Sequence, residues 1–428
     1  MTFALAIQTQ GQIKRTEIPL GDTLRKALAQ SSLTGEGAQP FHLRVVVSEP
    51  ENPQSPYQGT IEEWWRSGTE WRRVVTSKDG MRQTIVMANG VESERDEGDY
   101  FPLWLRNFVT ALFDPVPNAE TLETNTAVIE QTTLPNGNKT DACVRTQAKI
   151  GSDEHPSTVY FNVCFDNKGR LKFVGSPRYD MSFGDYRQVG ARQIAGRFDD
   201  DPESGTHLVG RVDVLEAEDA GHPDLFTSLP TTDKQFRSVV LDATHMEQRT
   251  AGMAAIVWPS VRSGYTSGHL AMYISVDAEG QVREAWPLNS DNAGLEDSAR
   301  EQVRKWKIRP AVDEQGKHVQ MDGPLSFIFS TKIESPLIVL SKKEDIDRQT
   351  RNCPYNPVLP HGVLPAGITL RIRVSVNEQG KKVGLNAPPV PWNMIHATGF
   401  DSQECTFNPF MVDGHPSYYY IDLAFTSK

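Results

Sequence analysis

The sequence lacks most of the features that announce a known chemistry. None of its four cysteines, Cys143, Cys164, Cys353 and Cys405, stands in C-x-x-C, so the usual spacing of a structural zinc site is missing. Its 10 histidines are dispersed, with no H-x-x-x-H or H-E-x-x-H to suggest a catalytic metal. It has no G-x-S-x-G, no P-loop and no dinucleotide fingerprint. No apolar run approaches the roughly eighteen residues of a membrane span; the stretch from Ala251 to Trp258 is far shorter. Positive charge is scarce as well: 44 basic residues face 55 acidic ones, and a net charge of −11 argues against a nucleic-acid backbone as partner. The acidic run Asp199-Asp200-Asp201 with Glu203 lacks the alternating ligands and central glycine of a calcium loop, and reads as a solvated loop. These absences predict a protein that is not an enzyme, holds no cofactor or metal and has no membrane span. A catalytic carboxylate pair needs only proximity in space, so an enzyme without a recognisable motif stays as an alternative.

What the chain does have is length and turns. Its 428 residues exceed one ordinary core and predict about two to four domains. The 28 prolines and 32 glycines are scattered, as turns between many short strands would be. Cys143 and Cys164 lie on strand candidates 142–150 and 158–166, around a polar turn at 151–157. A hairpin centred between Asp153 and Glu154 puts them opposite each other, with Cα atoms about 4.5–5.5 Å apart, a separation that a disulfide tolerates. Closing that loop would stabilise by about 3 kcal/mol. Phe3-Ala4-Leu5-Ala6 has the small-x-small pattern of a secretory cleavage site, although a charged start and most of an apolar segment are missing. Together with paired cysteines it predicts a periplasmic or otherwise exported protein.

A lead-in over residues 1–40 carries a helix candidate from Thr23 to Ala29. Long strands follow at 42–47, 57–65, 71–76 and 83–88, and Asn89-Gly90 is a hairpin signal. A helix candidate runs from Phe101 to Leu112 until Pro115 and Pro117 stop it. More strands are expected at 124–133, 142–150, 158–166, 170–177, 186–194 and 208–215. This half (41–230) resembles the lipoprotein carriers of the LolA/LolB type. The resemblance rests on the Tyr57–Trp65 meander strand, Trp71-Arg72 and the late Tyr186-Arg187-Gln188-Val189 strand. It implies an antiparallel half-barrel plugged by helices and holding an acyl chain or lipoprotein. Trp64 or Trp65 and Trp71 would then alternate so that at least one of them lines a largely apolar cavity, with Phe101, Leu105 and Phe108 near its mouth.

The stretch 268–329 reads strand–turn–strand–helix–strand–turn–strand and resembles the C-terminal domain of TonB. Its helix, Leu295 to Trp306, places Leu295, Ala299, Val303 and Trp306 towards the sheet. A second copy follows. Val376-Asn377-Glu378-Gln379-Gly380 answers Val276-Asp277-Ala278-Glu279-Gly280, and the run from Cys405 to Phe410 answers WKIRPA at 306–311. Between the copies, the charged run Lys342 to Asp347 reads as a solvated connector. Cys353 precedes the first strand of the second copy and Cys405 replaces the tryptophan at its helix exit, so a second disulfide is expected between them. The predicted fold class is α+β and multi-domain: residues 41–230 carrier-like, 246–335 and 352–428 TonB-C-terminal-like. The predicted function is a cell-envelope protein that binds a partner by strand addition or helix-face docking. The candidate partner surface is Arg300, Arg304, Lys307, Arg309, Tyr418 and Tyr420. The alternative is a carrier of an acyl chain or lipoprotein.

Overall fold

The computed structural model describes residues 14–34, 37–116, 128–133, 142–150, 157–176, 178–203, 206–217, 223–230, 236–261, 264–332, 338–353, 358–359, 369–387, 395, 398, 405–412 and 414–427. The first fifteen strands are β1 (Lys14–Pro19), β2 (Phe41–Ser48), β3 (Gly59–Ser67), β4 (Glu70–Ser77), β5 (Arg82–Ala88), β6 (Val91–Glu97), β7 (Val128–Thr133), β8 (Ala142–Ile150), β9 (Ser157–Phe165), β10 (Leu171–Gly175), β11 (Asp180–Gly184), β12 (Arg187–Val189), β13 (Arg192–Ile194), β14 (Arg197–Glu203) and β15 (Thr206–Ala217). All except the small β12–β13 hairpin form one 13-stranded sheet, ordered β1-β7-β8-β9-β10-β11-β14-β15-β2-β3-β4-β5-β6. Two meanders, β2 to β6 and β7 to β11, are thus joined through β14 and β15. The sheet is open, with β1 and β6 at its edges.

Side chains alternate across a strand, and that alternation selects the inner face. Phe41, Leu43, Val45 and Val47 of β2 and Ile61, Glu63 and Trp65 of β3 are buried. Helices α1 (Leu20–Ser31) and α2 (Leu103–Phe113) contribute Leu24, Ala27, Leu105 and Phe108 to the same apolar cluster. Both β1 and α1 fall within the expected lead-in, and both belong to the sheet unit. Asn89 and Gly90 have positive φ, 52° and 78°, and turn β5 into β6. Cys143 faces Cys164 directly across the ladder, their Cα atoms 4.1 Å apart, and the two are bonded.

Two expectations in this half need correction. The single strand expected over 186–194 is the β12–β13 hairpin, turned at Gly190 with φ 56°. The acidic run 199–201 is not a solvated loop: it is the middle of β14, so alternation sends Asp200 inward (1% exposed) while Asp199 bonds Arg197 outside.

Two smaller sheets follow. The first contains β16 (Ser238–Val240), β17 (Ser267–Val276), β18 (Val282–Ser290), β19 (Ala311–Val312) and β20 (His318–Ser330), in the order β16-β20-β17-β18 with β19 beside β20. The second has β21 (Val339–Leu340), β23 (Val358–Leu359), β24 (Thr369–Val376), β25 (Lys382–Asn386) and β29 (Tyr419–Ser427), in the order β21-β29-β24-β25 with β23 also on β29. Short pairs β22 (Thr350–Asn352) with β26 (Thr406–Phe407), and β27 (Phe410–Val412) with β28 (His415–Ser417), complete the chain. Helices α3 (Ala243–Thr250) and α5 (Lys343–Gln349) follow β16 and β21, and α4 (Glu296–Val303) follows β18.

The two units share their strand order. In each, a short leading strand runs parallel to the last long strand, β16 to β20 and β21 to β29, and a helix follows it. The turns match atom for atom. The Oδ1 of Asp277 accepts from Glu279 N and Gln281 N, and the Oδ1 of Asn377 accepts from Gln379 N and Lys381 N. Ile308 N donates to Gly280 O and Phe407 N donates to Gly380 O, which sets Pro310 and Pro409 at equivalent places. The repeat is therefore structural, and its resemblance to TonB is carried by the sequence alone. The expected connector contains α5 with Ile346 buried. The final strand β29 lies inside its sheet, between β24 and β21, rather than near an edge. In the second copy the sequence leads to the same helix exit through a short helix candidate, Trp392 to Thr398, which lies outside the described residues except for Ile395 and Thr398. The disulfide Cys353–Cys405 is present, with Cys405 in that copy's core.

Candidate functional site

Helix α2 has the sequence LWLRNFVTALF and is buried nearly all round, including Arg106 and Asn107. A helix apolar on every side lies within a core, and α2 does so between two sheets. One side rests on the backbone of the large sheet. A Cβ on Gly210 of β15 would stand 2.8 Å from Phe108, and one on Gly59 of β3 would stand 3.1 Å from Trp104 and 3.2 Å from Leu105. Arg73 of β4 lies 3.5 Å above the Phe113 ring, and the Arg178 turn between β10 and β11 exchanges hydrogen bonds with Asn107. The large sheet thus holds the helix from both sides.

The other side of α2 meets the first α+β unit through buried polar groups. Proline at 102 offers the helix no side-chain cap, and the orphan N–H groups of its first turn need acceptors. Glu284 of β18 supplies them: its Oε1 accepts from Leu103 N at 2.6 Å and its Oε2 from Trp104 N at 3.3 Å. The Tyr100 hydroxyl donates to the same carboxylate at 2.8 Å. Gln320 of β20 bridges the Phe101 backbone, accepting from its N–H at 3.0 Å and donating to its carbonyl at 3.1 Å. Arg106 donates to Asp322 Oδ1 at 2.6 Å, to Ser275 Oγ at 2.9 Å and to the Phe101 carbonyl at 3.2 Å. The Tyr273 hydroxyl occupies the other Asp322 oxygen at 3.0 Å. Tyr273 and Trp286, from the same sheet face, join the apolar core of the N-terminal unit.

Burial sets the ionisation here. It raises the Glu284 carboxyl above the usual carboxylate range, against the pull of Tyr100, the two backbone N–H groups and Arg106. Burial and the nearby Glu284 keep the Tyr100 hydroxyl protonated, and burial with Asp322 does the same for Tyr273. Burial works against the Arg106 charge, but Asp322, Tyr100 and Glu284 together raise its guanidinium, so it stays charged. Close by on the large sheet, burial and then Asp180 push Asp200 well up.

The residues singled out from sequence fall in different places. Trp65 enters the core, stacked on Phe41 at 5.7 Å, with Leu105, Phe108 and Phe101. Trp71 packs at the edge of that core, while alternation puts Trp64 on the opposite face, stacked on His42 at 4.9 Å. Leu295, Ala299 and Val303 are fully buried and Trp306 packs beside them. Arg300 bonds Asp297, Arg304 is half-buried, and Lys307 and Arg309 are exposed. Tyr418 (7% exposed) and Tyr420 (2%) do not form an open surface: Tyr420 packs on Tyr265 of the first copy at 5.7 Å, and Tyr418 on Tyr420. Sequence reading missed the network around Arg106. The signal was one arginine inside an otherwise apolar helix, and a buried charge of that kind needs a partner.

A separate open pocket of about 340 Å³ lies by the β9–β10 turn, lined by Asp166, Arg170, Lys172 and Tyr186 among others. Arg170 is already bonded to Asp166 and stacked over Tyr186. Among the described residues no group of three or more side chains is arranged to hold a metal ion, and no helix is long and apolar enough to cross a membrane.

Fold and site together define a class: an open antiparallel sheet with helices on its apolar face, clasped by the first of two repeated α+β units. The sequence matches no protein-family model and no curated protein. Among solved structures it is similar to a domain named for outer membrane lipoprotein sorting from Vibrio parahaemolyticus, at 11% identity and a TM-score of 0.24, covering 48% of this chain and 94% of that one. It is also similar to a LolA superfamily protein from Nitrosomonas europaea, at 12% identity and a TM-score of 0.23, covering 49% and 98%. A third is a DUF1329 family protein from Desulfovibrio piger, at 11% identity and a TM-score of 0.22, covering 48% and 94%. Likenesses this weak carry no functional argument.

Proposed function

We propose that the protein is a non-catalytic carrier of an acyl chain or lipoprotein, working in an exported compartment. The ligand would lie on the helix-bearing face of the large sheet. The observation that supports this is α2: a mostly apolar helix, seated on glycines of an open sheet, covers a largely apolar face. Moving that helix would expose a surface suited to a hydrocarbon chain, since ligand sites are mostly apolar with few polar groups. Both disulfides fit an oxidising compartment. Native mass spectrometry of protein purified from its own host is the test. A copurifying acyl species is expected, and its consistent absence, with no uptake of a fatty acid offered in vitro, would remove the reading.

A second reading concerns the repeats as partner-binding modules of the TonB-C-terminal kind. Its support is that, among the described residues, β25 is paired along one side only, with β24. Such an edge accepts an extended segment. Crosslinking in the host envelope should trap a partner through 382–386; trapping none would leave the repeats as structural.

A further inference from the structure

From the contacts of α2 we infer that the first α+β unit is a latch that holds the helix shut over the apolar face, so that loading requires this unit to let go. The inference rests on the carrier reading and adds what governs access. Three observations on separate elements carry it. The N-terminal N–H groups of α2 are capped by Glu284 from β18, not by a residue of their own segment. The one charge in the helix, Arg106, is neutralised by Asp322 from β20, again on the other unit. On its sheet side α2 makes apolar contacts at Gly59 and Gly210, and its polar ties there are the Asn107–Arg178 hydrogen bonds and Arg73 over the Phe113 ring, whereas the helix cap and the ion pair of Arg106 both go to the α+β unit. An apolar contact can be exchanged for contact with a hydrocarbon chain. Buried polar groups cannot: released together they return to water as a set, which makes the interface switch-like rather than gradual.

The repeat supplies an internal control. Ser275 lies opposite Glu284 and Asp322 in the first copy, whereas its counterpart Ser375 lies opposite Gly384 and Tyr420 in the second. One sheet face has thus acquired the cap and the counter-ion, and the equivalent face of its twin has neither. Nothing in the α+β fold itself demands these residues. Their presence on the copy that touches α2 points to a device specific to that contact.

The test uses the full chain, the variant Glu284→Ala and the milder Tyr100→Phe, with two readouts. Hydrogen exchange reports opening of α2 through its amides at 103–108. Titration with dansylaminoundecanoic acid reports loading. A minor open state that alone binds ligand lowers the apparent affinity by its fraction, so loosening the latch should tighten binding by roughly five- to thirtyfold in Glu284→Ala. Faster exchange along α2 should accompany it, with a smaller shift in the same direction for Tyr100→Phe. If exchange in α2 is unchanged in both variants, the latch is overturned whatever the probe does. If exchange rises but affinity does not, α2 opens without governing access, which overturns the latch and leaves the carrier reading standing. If exchange rises and neither wild type nor variants bind the probe, the carrier reading falls and the latch with it. Should Glu284→Ala fail to fold, Tyr100→Phe decides by the same criteria.

Discussion

Arg106 shows how one residue ties two folding units together. Each of its three nitrogens donates one bond, to Asp322, Ser275 and the Phe101 carbonyl, so the buried charge is both paired and hydrogen-bonded. Removing one partner of such a pair leaves an uncompensated charge and typically costs about 3–5 kcal/mol, whereas replacing both with apolar groups is often neutral. Arg106→Ala should therefore lower the unfolding free energy by that amount, and Arg106→Met with Asp322→Leu should recover most of it. Denaturant titrations of wild type, single and double variants measure this directly; an additive double variant would contradict it. Asp200 makes the opposite kind of case. Its folded carboxyl is raised above its unfolded value, so the folded state keeps a proton that the unfolded state has lost. Stability is then unaffected at pH below the unfolded value and falls as pH rises above about 4, by up to roughly 1.4 kcal/mol per pH unit. Asp200→Asn should flatten that decline as pH rises above about 4, read from denaturant midpoints across pH.

Among the elements, the turns of the repeat make the sharpest prediction. Gly280 and Gly380 have φ of 87° and 78°, and a Cβ at either would stand 2.0 Å from Ile308 O or 2.2 Å from Phe407 O. Alanine there must both adopt a left-handed backbone and displace the carbonyl of the residue whose N–H donates to the glycine's own carbonyl. Each substitution should cost at least about 1–2 kcal/mol, by a similar amount in both copies, in thermal or denaturant unfolding. A large effect at one position and none at the other would deny the equivalence of the two turns. These turns were readable because a positive φ and a capping Asp or Asn leave a fixed signature over five residues. Helices α3 and α5 and their parallel leading strands were not readable in the same way. They are short, Ala243–Thr250 buries only Ala243 and Met246, and Lys343–Gln349 buries only Ile346, so neither has an apolar stripe long enough to show a period.

For the whole molecule, the two disulfides bound the stability. The Cys143–Cys164 bridge spans a sequence separation of 21 residues and ties β8 to β9 towards one end of the large sheet. Replacing both cysteines with alanine should cost about 3 kcal/mol, read as a lowered denaturant midpoint with far-ultraviolet circular dichroism preserved. If the bridge contributes nothing to the midpoint, that end of the sheet is held by its ladder alone. The sequence by itself determined most of the long strands, α2, the cysteine register and the repeat, because alternation, turn chemistry and a fixed offset act over neighbouring residues. Only the tertiary structure decided that the first repeat clasps α2, that Tyr418 and Tyr420 lie between the copies, and that Asp200 points inward. Those outcomes depend on which faces meet across more than a hundred residues of chain. Local pattern is silent about that, because a buried charge declares that it needs a partner without saying where the partner lies.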